Sequence, residues 1–147
     1  MTPAIRPAEP GDAGAIWALL APVFRAGETY AVPRDIARDA ALALWTAAPR
    51  RAFLAEAAGA PVGTYYLKAN QPGGGDHVAN CGYVTAAAAR GRGVATAMLA
   101  HSLATARAAG FRAMQFNFVV ATNRGAVRLW RRHGFRVVGR LPGAFRH

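Results

Sequence analysis

The sequence predicts a single-domain α/β fold, a mixed β-sheet flanked by helices. Three observations predict it. The chain has 147 residues, enough for one compact core and little more. Segments of β-prone residues alternate with segments whose apolar residues recur every three or four positions. In the second half, strand-like runs bracket helical ones, so βαβ crossovers set those strands side by side and parallel. The first half reads as an antiparallel meander.

Taken in order, Ala4 to Arg6 reads as a short strand ended by Pro7. Pro10-Gly11-Asp12 offers a helix start with Asp12 as N-cap, and Ile16, Trp17, Leu20 and Phe24 follow at helical spacing. Gly27-Glu28-Thr29-Tyr30 reads as a loop. Pro33, with Asp35 and Asp39 behind it, opens a second helix through Ile36, Ala40, Leu44 and Trp45. Arg51 to Glu56 and Val62 to Lys68 form a hairpin about the tight turn Ala58-Gly59-Ala60-Pro61. Asn70 to Asp76 is a glycine-rich loop, and His77 to Thr85 a further strand. A helix runs from Gly93 to Ala109 and stops at Gly110. Phe111 to Val120 is strongly β-prone, Thr122-Asn123 caps a helix ending at Gly134, and Phe135 to Arg140 reads as a last strand. The order is β–α–α–β–β–β–α–β–α–β, with no repeat or linker, so residues 1–147 are expected to form one domain.

Net charge is +11, from 18 basic and 7 acidic residues, and hydrophobic residues make up 53% of the chain. That excess favours an anionic partner, either a nucleic acid or a polyphosphate. It is concentrated: Arg90 to Arg140 holds ten arginines and no acid. Cys81 is the single cysteine, which excludes an intrachain disulfide, and with four scattered histidines it offers no metal-site spacing. No metal is expected. Without a signal-peptide pattern or a membrane-length apolar run, a reducing cytoplasm is the expected compartment.

The most informative stretch runs from Tyr83 to Thr96, where a strand passes through Arg90-Gly91-Arg92-Gly93 into the first turn of a helix. The first turn carries unpaired N–H groups and the positive end of the helix dipole. Glycines let that backbone approach a ligand closely. The outcome is a cradle for a diphosphate, to which Arg90 and Arg92 add charge. It is neither a P-loop nor a dinucleotide fingerprint, since Gly-Lys-Ser/Thr and a third glycine are both absent. A glycine-rich helix start with solvated arginines is the plain alternative.

A second motif follows the next strand, from Asn123 through Ala126, Leu129 and Trp130 to Gly134-Phe135. Together the two resemble the GNAT superfamily of N-acetyltransferases. Arg90-x-x-Gly93-x-Ala95 is similar to its acetyl-CoA signature. Asn123 to Phe135 is similar to its downstream signature, with Trp130 where Tyr is usual. The resemblance covers the whole chain in element order and is strongest between positions 80 and 145. It implies a GNAT-like mixed sheet and acetyl-CoA as cosubstrate. It places Val84 and Thr85 beside the pantetheine arm, with a strand N–H near Val84 on the acetyl carbonyl. The N–H groups of Arg90, Gly91, Arg92, Gly93, Val94, Ala95 and Thr96 would hold the diphosphate, and Asn123 the pantetheine. Trp130 would pack on cofactor or core, since indole cannot protonate a leaving thiolate.

The implied reaction is direct attack by a neutral amine, which needs a base. Glu28 is the first candidate, because in this superfamily its loop overhangs the acceptor; His77 is the second. Tyr30, Tyr65, Asn80 and Asn117, with Tyr66, are candidates for the acceptor pocket, though alternation lets only about half of strand positions face it. The acceptor is expected to be a small-molecule amine or amino acid analogue, with a protein amine or a non-catalytic coenzyme A sensor as alternatives. A nucleic-acid module is disfavoured because several of the arginines lie within the cofactor motifs, and no membrane partner is expected. The family usually adds a strand beyond the last one predicted here. Either a longer chain or a partner subunit would complete the edge, and a homodimer is expected.

Overall fold

The computed structural model describes residues 2–147. A five-stranded sheet runs in sequence order: β1 (Ala4–Pro7), β2 (Arg51–Ala57), β3 (Ala60–Ala69), β4 (Val78–Thr85) and β5 (Ala113–Met114). The first four are antiparallel, and β5 runs parallel to β4. Helices α1 (Ala13–Ala26) and α2 (Arg38–Thr46) cover one face; α3 (Val94–Ala108) covers the other, and α4 (Arg124–Arg132) follows β5. No helix among the described residues is long and apolar enough to cross a membrane.

Alternation along the strands divides the core in two. Tyr65, Leu67, Ala79 and Cys81 pack with Val94 and Met98 of α3. Leu54 and Val84 pack with Ile16, Leu20 and Phe24 of α1 and with Ala41 and Trp45 of α2. The helical spacing read in α1 is therefore the stripe that is buried.

Four expectations are corrected. Asp12 sits at the α1 N-cap position without capping it. Its carboxylate instead accepts from Arg6 at 2.8 and 2.9 Å and from the Glu9 N–H at 2.7 Å. The second helix begins at Arg38, not at Pro33, because Ile36 N–H closes a separate turn on the Pro33 carbonyl. Arg34 and Arg25 also exchange bonds with each other's carbonyls, holding that turn against the end of α1. The β-prone run from Phe111 to Val120 pairs as a strand only at Ala113–Met114. Phe135 to Arg140 forms no strand; Val137 and Val138 are exposed. β-propensity describes fit to a pleated neighbour, and no strand lies opposite this segment among the described residues.

Asp12 also sets an acid limb. Its bonds to Arg6, then to the Glu9 N–H, hold its pKa at about 2, against an ordinary value of 3.8. A depressed carboxylate contributes stability that is complete above its unfolded value and is lost as pH falls through the folded one. Thermal melts between pH 4 and pH 2 are therefore expected to be less steeply pH-dependent in Asp12→Asn than in the wild type.

Candidate active site

The site begins where β4 and β5 part. The parallel ladder covers Val78–Ala79 against Ala113–Met114, and Gln115 N–H still donates to the Ala79 carbonyl at 2.8 Å. Beyond it the Asn80 side chain donates to the Gln115 carbonyl at 2.9 Å, the place a strand N–H would take. Two residues on, the Tyr30 hydroxyl accepts from Tyr83 N–H at 2.9 Å and donates to Tyr83 carbonyl at 2.8 Å. Side chains thus replace the neighbouring strand, and a cleft of about 960 Å³ opens between β4 and residues 116–120.

Register decides which β4 groups face this gap. Asn70 N–H donates to Val78 carbonyl and Ala86 N–H to Val62 carbonyl, so even-numbered β4 residues direct their N–H and C=O to β3. Odd-numbered residues face the gap. Tyr83 is engaged by Tyr30, and the backbone groups of Cys81 and Thr85 have no partner on that side among the described residues. Val84 lines the cleft but directs its N–H to β3, so the N–H near it that faces the gap is that of Thr85.

At the rim, Gly93 is the N-cap of α3 with φ 80°, and Gly91 has φ 74°. Both lie in the left-handed region that a side chain disfavours. The turn they make leaves six successive N–H groups, Gly91 to Thr96, without an acceptor among the described residues. Ala97 N–H is the first to close, on the Gly93 carbonyl at 3.0 Å. Arg90, just before this run, and Ala95, within it, line the cleft; Arg90 and Arg92 are exposed, and neither arginine has an ion-pair partner among the described residues. Val94 is buried in the core, so only its backbone is available. Free N–H groups at a helix start are, in general, an arrangement that suits an anion.

The α4 side supplies Asn123 and Trp130. Asn123 caps α4 through its carbonyl oxygen, 3.4 Å from Ala126 N, and also lines the cleft. Trp130 packs 4.6 Å from Phe116 and 5.2 Å from Tyr83, centroid to centroid, giving the cleft an aromatic wall. The Tyr83 hydroxyl lies 2.7 Å from Ser102 Oγ, and burial raises its pKa above the phenol range. Burial likewise pushes the Cys81 thiol up to about 12, which leaves no thiolate nucleophile at neutral pH.

The opposite wall comes from α1 and its following loop. Leu19, Val23, Glu28, Thr29 and Tyr30 line it; Tyr66 of β3, Asn80 of β4 and Asn117 also line the cleft. Among the described residues, Glu28 is the one carboxylate side chain that lines the cleft. Tyr30 holds this loop against β4 with its hydroxyl, so the group predicted to meet a ligand is instead engaged by the strand.

Two predicted residues lie elsewhere. Tyr65 is fully buried beneath α3, stacked on Phe53, with its hydroxyl 2.7 Å from His101 Nδ1. Its neighbour Tyr66 takes the cleft position, by the alternation of side chains along β3. His77 precedes β4 at the end remote from Thr85, where its carbonyl accepts from Arg112 N–H, and it does not line the cleft. Gly82 and Phe116 were not singled out from sequence. Gly82 carried a signal, sharing strand parity with Asn80 and Val84.

The sequence profile of the acetyltransferase (GNAT) family matches residues 15–135. A GCN5-related N-acetyltransferase from Kribbella flavida is 41% identical with a TM-score of 0.92, covering 98% of this chain and 88% of that one. The structure of yncA from Salmonella typhimurium with its cofactor acetyl-CoA has a TM-score of 0.84 at 19% identity, covering 100% of this chain and 87% of that one. At that identity the likeness concerns the fold. N-acetyltransferase aca1 of Schizosaccharomyces pombe is 34% identical over 85 residues, which make up 58% of this chain and 41% of that protein.

Proposed function

Since the chain belongs to the acetyltransferase (GNAT) family, we propose that it moves the acetyl group of acetyl-CoA to the primary amine of a small molecule. The observation that carries this reading is the run of six unpaired N–H groups from Gly91 to Thr96, opening onto a gap where β4 has lost its strand partner. The run suits a diphosphate, with Arg90 and Arg92 adding charge. The free backbone groups of Cys81 and Thr85 suit an extended amide-bearing arm, and the ring of Trp130 an apolar one. When bound, acetyl-CoA supplies an activated thioester.

The chain's own residues then position and exchange protons. Thr85 or Cys81 N–H offers a donor to a carbonyl oxygen in the gap, worth most where water is excluded. The Glu28 carboxylate takes the proton of the incoming ammonium. Tyr66, Asn80 and Asn117 form the acceptor wall, and Tyr30 fixes the loop that carries Glu28. Trp130, which has no acidic proton at neutral pH, favours a second reading as a coenzyme A sensor without turnover.

Calorimetry with coenzyme A, and thiol release from acetyl-CoA with a panel of amines, test both readings. Arg90→Gln with Arg92→Gln is expected to weaken coenzyme A binding about tenfold at low salt, roughly half a decade per exposed charge. Binding without thiol release for any amine would leave only the sensor.

Acceptor recognition has its own test. A Cβ on Gly82 would lie 2.5 Å from Tyr66 Cε2, so the ring, packed edge to face with Trp45 at 4.8 Å between centroids, must shift. Gly82→Ala is expected to raise the acceptor KM by about tenfold, about 1.4 kcal/mol of misplacement. The coenzyme A dissociation constant should stay within twofold, about the effect of a site left intact.

A further inference from the structure

The Tyr30 hydroxyl stands in the gap where a neighbouring strand would run, and Tyr30 lines the cleft. It accepts from Tyr83 N–H at 2.9 Å and donates to Tyr83 carbonyl at 2.8 Å, so one oxygen engages both gap-facing groups of that residue. Doing both requires a neutral phenol, and burial holds its pKa above the ordinary range. The ring is fixed by edge-to-face contacts with Phe24 at 5.7 Å and Trp45 at 5.8 Å between centroids. Swinging it aside would break two hydrogen bonds and two ring contacts at once.

Other groups close the remaining ways inward. Odd-numbered β4 side chains face α3, and there Tyr83, Phe116 and Trp130 pack ring against ring, with centroids 4.6, 5.2 and 6.0 Å apart. Further along the strand, the Asn80 side chain is bonded across the gap to the Gln115 carbonyl at 2.9 Å. A ligand arm that starts at the Gly91 to Thr96 turn meets β4 at its last residue, Thr85. The next gap-facing residue, about 7 Å inward, is Tyr83, and its backbone groups are taken. Thr85 thus offers free groups in front of the Tyr30 oxygen, and Cys81 offers them behind it.

We propose that the Tyr30 hydroxyl is the stop that sets the length of the acyl group, admitting acetyl and excluding longer chains. This rests on the acetyl-transfer reading. The stop is a single oxygen on a fixed ring. Its removal frees the space of about one heavy atom, enough for the added carbon of propionyl and too little for the further carbon of butyryl.

Calorimetry with acetyl-, propionyl- and butyryl-coenzyme A, without an acceptor, reads the stop, with free coenzyme A as reference. The wild type is expected to bind the acetyl form about tenfold more tightly than the propionyl form, the lower end of what one methylene contributes in a fixed pocket, and to bind the butyryl form more weakly still. In Tyr30→Phe the ratio of acetyl to propionyl affinity should fall toward one, with butyryl still disfavoured. Equal affinity of the wild type for all three acyl forms overturns the stop, whatever the stability of the variant. So does a folded Tyr30→Phe protein that keeps the wild-type ratio. A variant that binds every form more tightly by one common factor overturns it as well, marking the hydroxyl as an occupant of the strand edge that any ligand displaces. Free coenzyme A separates the two claims. No heat with it sinks acetyl transfer and the stop together; normal heat with equal acyl affinities sinks the stop alone.

Discussion

Trp45→Ala is expected to destabilise the protein by about 3–5 kcal/mol, the usual cost of emptying a large aromatic site in a core. Trp45 is 1% exposed and meets Tyr66 at 4.8 Å, Tyr30 at 5.8 Å and Phe24 at 6.4 Å, all edge to face. Its indole N–H donates to Thr64 Oγ1 at 3.1 Å, and that hydroxyl donates to the Phe53 carbonyl at 2.7 Å. Truncation therefore removes apolar burial, three aromatic contacts and one buried hydrogen bond together. Domains of this kind have about 5–15 kcal/mol in all, so the loss is a large share. Urea unfolding would read it directly. Trp45→Phe, which keeps a ring but loses the N–H, is expected to cost about half as much or less. Two of the three partners are Tyr30, which fixes the Glu28 loop, and Tyr66, which lines the cleft at the proposed acceptor wall. The variant should thus lose acceptor affinity at temperatures where it is still folded. A loss under about 1 kcal/mol would mean that the α2 side of the core is not what holds this wall.

How far the sequence reveals this fold differs between its halves. The helices and the β2–β3 hairpin follow from short-range pattern: Ile16, Leu20 and Phe24 are spaced for a helix and are buried as one stripe. The β-prone run from Phe111 to Val120 misleads because pairing is not a local property. Two side chains distant in sequence, Asn80 and Tyr30, take up the carbonyl and edge groups that would have continued the ladder. Nothing within the run itself records that. Phe135 to Arg140 misleads for a related reason, having the composition of a strand without a neighbour among the described residues.

The candidate site divides along the same line. The Arg90 to Thr96 turn is legible because glycine spacing and a helix start act within seven residues; the N–H groups from Gly91 onward lack an acceptor among the described residues, while that of Arg90 donates to the Ala87 carbonyl. Choices that depend on register are not. Whether Val84 or Thr85 presents its N–H to the gap, and whether Tyr65 or Tyr66 faces the cleft, differs by one residue. One residue reverses every side chain and every backbone group of a strand.

Glu28→Gln is expected to lower kcat/KM for the acceptor by about 100-fold or more near neutral pH, the lower end of what a positioned base contributes. An amine acceptor arrives mostly as its ammonium, and only the neutral form has a lone pair with which to attack. Among the described residues Glu28 is the one carboxylate side chain lining the cleft, and it stands on the loop that Tyr30 bolts to β4, next to the gap. Gln keeps the size and the hydrogen-bonding reach of Glu but cannot accept the proton. A base role has a signature that a purely structural role lacks. The variant's deficit should shrink as pH rises toward the pKa of the amine, because solution then supplies the neutral nucleophile. Coenzyme A affinity and melting temperature should both stay near wild type, since Glu28 is exposed and has no partner in the ion pairs among the described residues. Tyr30→Phe provides the complementary case. It leaves the carboxylate in place but frees the loop from Tyr83, so its defect should be independent of pH. If Glu28→Gln shows an equal loss at every pH, the carboxylate holds the acceptor rather than deprotonating it. Proton removal then passes to solvent in the open cleft.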